Sequence, residues 1–248
     1  MIYWYGDTEN SQRYQILSKE NSDLKVIEDF QTFLKSPPQD AKALLVSESQ
    51  FIPSLKRARY LPENLMALEF CDGFLLEEEK WNPKCGYLPV FRRIFSKNST
   101  YLDTSKSILL VSDFEPARAA VVTLYKMGFR EFLVLDKKGE TNAWLDHTKK
   151  TLFDLKVKHL VPQDLVNLSG DASVLVYGVA NPDRVRFERE LSYFNFINRP
   201  GMVLDFLAPS FLLKVIEETQ DKDLMFLSRE QIEKETFQWW THQTEALV

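Results

Sequence analysis

Apolar residues recur along this chain in two rhythms. Short unbroken apolar runs have the character of buried strands, and the longer segments between them repeat an apolar position every three or four residues, as amphipathic helices do. Met1–Gly6 reads as a strand, Gln12–Ser18 as a short helix and Leu24–Ile27 as a strand. Glu28–Leu34 reads as a helix stopped by Ser36-Pro37-Pro38, and Ala43–Val46 as the next strand. Leu55–Tyr60 is predicted helical, and Phe74–Glu77 an edge strand before a polar connection. Gly86–Lys97 reads as a helix and Asn98–Lys106 as a linker. Beyond it, strands are predicted at 107–112, 131–135, 157–161, 173–178 and 201–206, with helices near 116–127, 142–154, 185–197 and 208–219. A last helix, from about Ser228 to Gln243, carries Trp239 and Trp240 and is expected to pack back across a domain junction.

Strands alternating with helices predict an α/β protein with a largely parallel sheet. The run after residue 106 matches one mononucleotide-binding half plus extra strands.

Composition narrows the function classes. With 248 residues, 44% apolar, and 18 phenylalanines, the chain can build one large or two small cores. A net charge of −5 argues against general nucleic-acid affinity, and the clusters Lys56-Arg57-Arg59 and Arg92-Arg93 are short enough to be solvated helix faces. No apolar run is long enough to span a membrane, and the N-terminal residues lack a secretion pattern, so a cytoplasmic protein is expected. Cys71 and Cys85 read as two reduced thiols, and three scattered histidines offer no ligand set for a metal. Only 8 glycines are present, less than half the usual share of roughly 7%. Loops that cradle phosphate are built from glycine, so this composition weighs against nucleotide chemistry.

The segment Ser107–Asp136 sharpens that point. Its strand–helix–strand order is that of a dinucleotide-binding unit, but the connecting turn reads Ser112-Asp113-Phe114-Glu115-Pro116-Ala117. Ser112 or Asp113 can cap the helix, with Pro116 in its first turn, and this reading accounts for every residue of the turn. Asp136 ends the second strand, and the following Lys137-Lys138-Gly139 is ordinary turn chemistry.

The order of parts resembles the shikimate/quinate dehydrogenase family along the whole chain. Asp113-Phe114-Glu115-Pro116-Ala117-Arg118-Ala119 stands where that family has a glycine-rich turn leading into Ala-Arg-Ala. Arg199–Asp205 is similar to its strand ending in Asp, and Phe206–Leu213 follows where the family has its Tyr-Asn-Pro and Thr-Pro-Leu-Leu segment. Phe237-Gln238-Trp239-Trp240-Thr241 is similar to its closing Phe-x-x-Trp-Thr, and Trp81–Gly86 to its Tyr-Asn-Thr-Asp-Gly. The resemblance implies a substrate-binding α/β domain at 1–98, a Rossmann-like domain at 99–222, and a C-terminal segment, 223–248, whose helix returns to the first domain.

It also implies where chemistry belongs. The cofactor-binding positions fall at Ser112, Phe114, Arg118, Asp136 and Lys137, with NADP the cofactor if the chain is active. Phe114 replaces the glycine that lets the backbone approach the pyrophosphate, and Asp113 and Glu115 place negative charge where an anion would bind, so no cofactor is expected. The catalytic lysine position falls at Gln50, with Lys56 recovered only by a shifted alignment, and the catalytic aspartate position falls at Lys84. The substrate-orienting asparagine falls near Glu69 or Phe70, the serines for the substrate carboxylate reduce to Thr8-Glu9-Asn10-Ser11, and the substrate-contacting glutamine of the last helix becomes Ile232 beside Gln231. Glutamine cannot titrate near neutral pH, so the expected protein is a degenerate, dehydrogenase-like one that uses its fold for binding, regulation or assembly. The alternative is a divergent NADP-dependent oxidoreductase acting on 3-dehydroshikimate or a similar ring acid through Lys84 or Lys56. A small-molecule ligand in an interdomain cleft is one expectation; a protein partner or a second copy is another. The aromatic run Phe187, Leu191, Tyr193, Phe194, Phe196, Ile197 reads either as such a surface or as core.

Overall fold

The computed structural model describes residues 1–112, 114–135, 143–179, 195–207, 212, 213, 217 and 221–247. They form two compact units, Met1–Val90 with Glu230–Val248, and Phe91–Arg229. Among the described residues no helix is long and apolar enough to cross a membrane.

The first unit is built on a mixed sheet. Strands β1 (Ile2–Tyr5), β2 (Lys25–Ile27) and β3 (Ala43–Val46) run parallel, and β4 (Gly73–Glu77) and β5 (Lys80–Lys84) add an antiparallel hairpin, in the order β2-β1-β3-β4-β5. The central strand β3 is the fully buried Ala-Leu-Leu-Val, as a strand covered on both faces must be. Helix α1 (Gln12–Glu20) is capped by Ser11, whose hydroxyl accepts from the Tyr14 amide; α2 (Phe30–Lys35) is capped by Asp29, which accepts from the Gln31 and Thr32 amides. The core gathers Trp4, Leu17, Leu45, Leu75, Phe237 and Trp240, so the C-terminal helix (Arg229–Glu245) supplies the first unit's core with two aromatic side chains.

Three expectations change here. The helix predicted at Leu55–Tyr60 lies earlier, as α3 (Phe51–Lys56), because Pro53 falls in its first turn, where a missing amide costs no hydrogen bond. A short α4 (Glu63–Met66) follows. Phe74–Glu77 is not an edge strand: β4 lies between β3 and β5, and the polar connection is the edge strand itself. The hairpin turn carries Glu78 and Glu79, both at positive φ (50° and 63°), a geometry that Asn-Gly normally signals and two glutamates conceal.

In the second unit, α5 (Tyr87–Lys97) leads in from the first. The strands are β6 (Ser107–Ser112), β7 (Glu131–Leu135), β8 (Lys156–Leu160), β9 (Ala172–Gly178), β10 (Ile197–Asp205) and β11 (Leu224–Ser228). All pair in parallel, in the order β11-β10-β9-β6-β7-β8. Numbered from β6, this is the 3-2-1-4-5-6 arrangement of a Rossmann sheet. Strand β9 is buried throughout, and full burial of each large apolar side chain contributes about 1.5–3 kcal/mol. Helix α6 (Glu115–Lys126) lays an Ala- and Val-rich face on the sheet, and α7 (Ala143–Thr148) is shorter than the predicted 142–154.

Strand β11 was not expected, since Leu-Met-Phe-Leu-Ser leads straight into a helix with no turn residue to mark a boundary. The helix predicted at 185–197 ends differently: Ile197 opens β10, and Phe196 and Ile197 are core residues. Phe187, Leu191, Tyr193 and Phe194 lie outside the described residues. Of the helix predicted at 208–219, the described residues 212, 213 and 217 are helical.

Candidate functional site

A parallel sheet of this order receives ligands where the strand order reverses, outside the carboxyl ends of its first and fourth strands. Here those are β6 and β9, ending in Ser112 and Gly178. The Ser112 hydroxyl donates to the Gly178 carbonyl at 3.1 Å and accepts the Phe114 amide at 3.1 Å, stapling the strand ends together. A Cβ on Gly178 would lie 2.7 Å from Ser112 Oγ and 3.1 Å from Phe206 Cβ, so only glycine admits this closure.

Phe114 is the N-cap residue of α6 and contributes no side-chain cap. Its ring packs on Phe206, centroids 5.8 Å apart, and the Arg229 guanidinium lies 4.8 Å from its centroid. Phe206 in turn meets Phe91 edge-on at 6.0 Å. The half-buried Phe114 therefore joins an aromatic cluster at the switch point, with the buried Arg229 as its cation. The cap expected from Ser112 is corrected: its hydroxyl serves the strand-end staple and the amide of the cap residue, not a helical amide. Arg118, one helical turn on, sets its guanidinium 5.5 Å from the centroid of the Trp144 ring. Asp113, Asp136, Lys137 and Lys138 lie outside the described residues.

The parallel strands of the first unit also present their carboxyl ends together. After β3 comes a single 3-10 turn, Glu48–Gln50. Its Glu48 carboxylate accepts the Arg13 amide at 2.9 Å and the Ser11 hydroxyl, so it sits on the first turn of α1. The Ser47 and Ser49 hydroxyls are 3.1 Å apart, and Asp7 donates its amide to Ser47 at 3.3 Å. Gln50 borders this group, and its Oε1 is buried with no hydrogen-bond partner among the described residues.

Beneath these strand ends lies a buried ionic cluster. Arg13 is fully buried and pairs with Asp72 at 2.8 Å and Glu233 at 3.3 Å, also donating to the carbonyls of Val46 and Asp72. Its guanidinium lies 5.3–5.9 Å from the ring centroids of Phe51, Tyr87 and Trp4. Asp72 further accepts the Gly86 amide at 2.7 Å and Trp240 Nε1 at 3.1 Å, and Tyr87 donates to Glu233 at 2.7 Å. Burial pulls the Arg13 guanidinium towards its neutral form, but Tyr87, Asp72, Glu233 and Glu48 together hold it well above its ordinary value. Burial raises the Asp72 carboxyl despite the pull of Arg13, and raises the Tyr87 phenol, with Glu233 adding to the shift. Cys71 and Cys85 are buried unpaired thiols, pushed up by burial.

The residues predicted as catalytic lie on three elements of the first unit, Gln50 in the turn after β3, Lys56 at the end of α3 and Lys84 at the end of β5. Lys84 closes β5 and pairs with Glu77 at 2.9 Å, each side chain 33% exposed; Asn82 donates to the same carboxylate. Lys56 is the exposed last residue of α3, so the segment from Phe51 to Lys56 is a helix and offers no shifted strand. Glu69 has positive φ (58°), and Phe70 is core, packed 5.5 Å from Phe51. Ile232 is fully buried and Gln231 exposed.

Sequence reasoning passed over Arg13, Glu48, Asp72 and Glu233. Arg13 left one trace: with Leu17 it stands at i, i+4 on the buried face of α1, a charge on an apolar stripe. Glu233 similarly interrupts the inner stripe that holds Thr236, Phe237 and Trp240. Nothing local marks Asp72 or Glu48, whose partners lie 59 and 35 residues away in the chain.

No protein-family model matches the sequence, and no curated protein does. The structure has counterparts along its whole length. A shikimate 5-dehydrogenase from Listeria monocytogenes, solved in complex with shikimate and NAD, superposes with a TM-score of 0.66 at 14% identity, covering 100% of this chain and 96% of that one. A quinate dehydrogenase from Corynebacterium glutamicum in complex with NAD gives 0.69 at 12%, covering 99% and 97%. A shikimate dehydrogenase from Aquifex aeolicus gives 0.66 at 15%, covering 99% and 96%. The chain thus has the fold of the shikimate and quinate dehydrogenases.

Proposed function

We propose that this protein keeps the shikimate-dehydrogenase fold without the hydride transfer, and uses it to bind or assemble with another molecule. One observation carries the reading: at the switch point of the parallel sheet, Phe114, Phe206 and Arg229 form a packed cluster where a dinucleotide's pyrophosphate needs open backbone. A phenyl ring keeps a phosphate from the strand-end amides, and Glu115 adds a negative charge in the first turn of α6, where the helix dipole would otherwise favour an anion. In the first unit, Gln50 supplies no acid or base, and Lys84 is engaged by Glu77. The protein is expected to leave NADPH and NADH unoxidised with 3-dehydroshikimate, and to show no thermal shift with millimolar NADP⁺ or NAD⁺. Turnover at ordinary dehydrogenase rates would sink the proposal. Light scattering on the purified protein tests the assembly half, for which a strict monomer with no co-purifying partner is the adverse result.

The second reading, a divergent NADP-dependent oxidoreductase, is favoured by Lys84, whose side chain stays one-third exposed at the end of β5. It predicts NADP-dependent turnover that Lys84→Ala abolishes while the fold persists.

A further inference from the structure

The segment that runs from the end of α3 through α4 carries apolar side chains both inside and outside. Leu55, Leu65 and Leu68 are buried, so the segment is tied to the core at both ends. Tyr60, Leu61 and Met66 stand outside, 66%, 42% and 50% exposed. Single exposed apolar residues are ordinary on a protein surface. Here three of the eight large ones among the described residues fall within one short segment, which makes a patch, and a patch marks a contact surface. Arg59 and Glu63, both exposed, stand on either side of it in the chain, and neither side chain has an ion-pair partner among the described residues. Arg57 is turned elsewhere: its guanidinium donates to the Tyr5 hydroxyl at 3.3 Å and lies 5.5 Å from the Phe30 ring centroid. Lys56 is exposed at the end of α3, and Glu69 is half-buried at positive φ. A partner surface of one sign would meet a like charge at one end of the patch. The order cation, apolar pair, anion is instead complementary to itself. A two-fold axis near Leu61 brings the apolar residues of two copies together and sets Arg59 of each beside Glu63 of the other. The patch is short, which places it with weak, concentration-dependent interfaces rather than obligate ones.

We propose that this segment is a homodimer surface, on which Tyr60, Leu61 and Met66 of two copies pack about a two-fold axis and Arg59 and Glu63 pair across it. The assembly half of the proposed function thereby gains a partner, a second copy of the chain, and the inference rests on that half. It is separate from the loss of hydride transfer, which rests on the second unit's switch point.

The experiment is sedimentation velocity on the full chain from about 1 μM to about 1 mM, with circular dichroism to confirm that each variant is folded. The substituted positions are exposed, so the variants keep the core intact. The parent's mass is expected to rise from that of one chain to that of two. Arg59→Glu and Glu63→Arg each set like charges together at two places in a two-fold dimer, and each is expected to weaken association at least about tenfold. An equimolar mixture of these two variants restores opposite charges at both places, as does the double variant Arg59→Glu/Glu63→Arg, and both are expected to regain the parent's association. Leu61→Ser, with the charges intact, is expected to weaken it as the single charge changes do. A parent that stays monomeric at about 1 mM overturns the proposal. A dimer indifferent to these changes also overturns it, while leaving assembly through another surface standing. So does a mixture that fails to associate, because the loss then does not come from pairing between copies. Turnover of NADPH, by contrast, bears only on the hydride half of the proposed function.

Discussion

Arg13 Nη2 lies 2.8 Å from Asp72 Oδ2 with both side chains wholly buried, and the pair is closed from the far end of the chain by Glu233 and Trp240. A buried ion pair is not in itself a net gain, since desolvation offsets much of its attraction, but removing one partner strands the other. Arg13→Met should therefore cost about 3–5 kcal/mol, leaving Asp72 and Glu233 without their cation. Urea unfolding followed by tryptophan fluorescence checks it, and a loss below about 1 kcal/mol would mean the cluster is solvated in solution.

The indole of Trp240 also passes over Gly86. A Cβ there would stand 2.8 Å from Trp240 Nε1 and 3.0 Å from Trp239 Cε3. Gly86→Ala is expected to destabilise by about 1–3 kcal/mol through overpacking. Combined with Trp240→Phe, it should cost less than the sum of the two single changes, because the smaller ring gives way. Additive losses in a double-mutant cycle would place the strain elsewhere.

Glu78 and Glu79 hold the β4–β5 turn at positive φ, where side chains other than Asn and Gly are disfavoured by about 1–2 kcal/mol each. Replacing the pair by Asn-Gly should raise stability by about 1 kcal/mol, with the Lys84–Glu77 ion pair undisturbed. A lower thermal midpoint for this variant would show that the turn is not of that type.

Burial raises the thiols of Cys71 and Cys85 above the ordinary value of 9.0 and the Tyr87 phenol above 10.0. For an acid whose pKa is higher in the folded chain, stability is intact below the unfolded value and is lost as pH climbs from that value towards the folded one. The thermal midpoint should accordingly fall from about pH 9 upward. Replacing both cysteines by alanine should move that onset towards pH 10, leaving Tyr87 to set it. An onset that ignores the cysteines would assign alkaline unfolding to other groups.

Phe114→Gly removes the ring that packs on Phe206 and lies under the Arg229 guanidinium, and places a glycine in the turn. The expected result is a lower thermal midpoint together with a shift by NAD⁺ or NADP⁺ that the parent lacks. Loss of stability without any nucleotide response would mean that Ser112 and the acidic residues of the turn exclude the cofactor unaided.

Much of the architecture is legible in the chain. The strands from Ala43, Ser107 and Ala172 are unbroken apolar runs, and α6 announces itself through Pro116 and an Ala- and Val-rich face. The failures have local causes. Strand β11 adjoins a helix with no turn between them, β5 hides behind a glutamate turn, and α3 begins before its proline. The role of Ser112 was not legible: with Asp113 it read as one of two candidate helix caps, and its hydroxyl donates instead to the Gly178 carbonyl.

The sequence by itself determined an α/β chain with a strand–helix–strand unit whose connecting turn holds no glycine, because periodicity and turn chemistry are local properties. Only the tertiary structure decided which side chains meet at that turn and in the first unit's core. Phe114 meets Phe206 and Arg229, Glu48 reaches the first turn of α1, and Arg13 finds Asp72 and Glu233, each through contacts tens to hundreds of residues apart. Charge, burial and hydrogen bonding act on neighbours in space, and no local pattern records who those neighbours are.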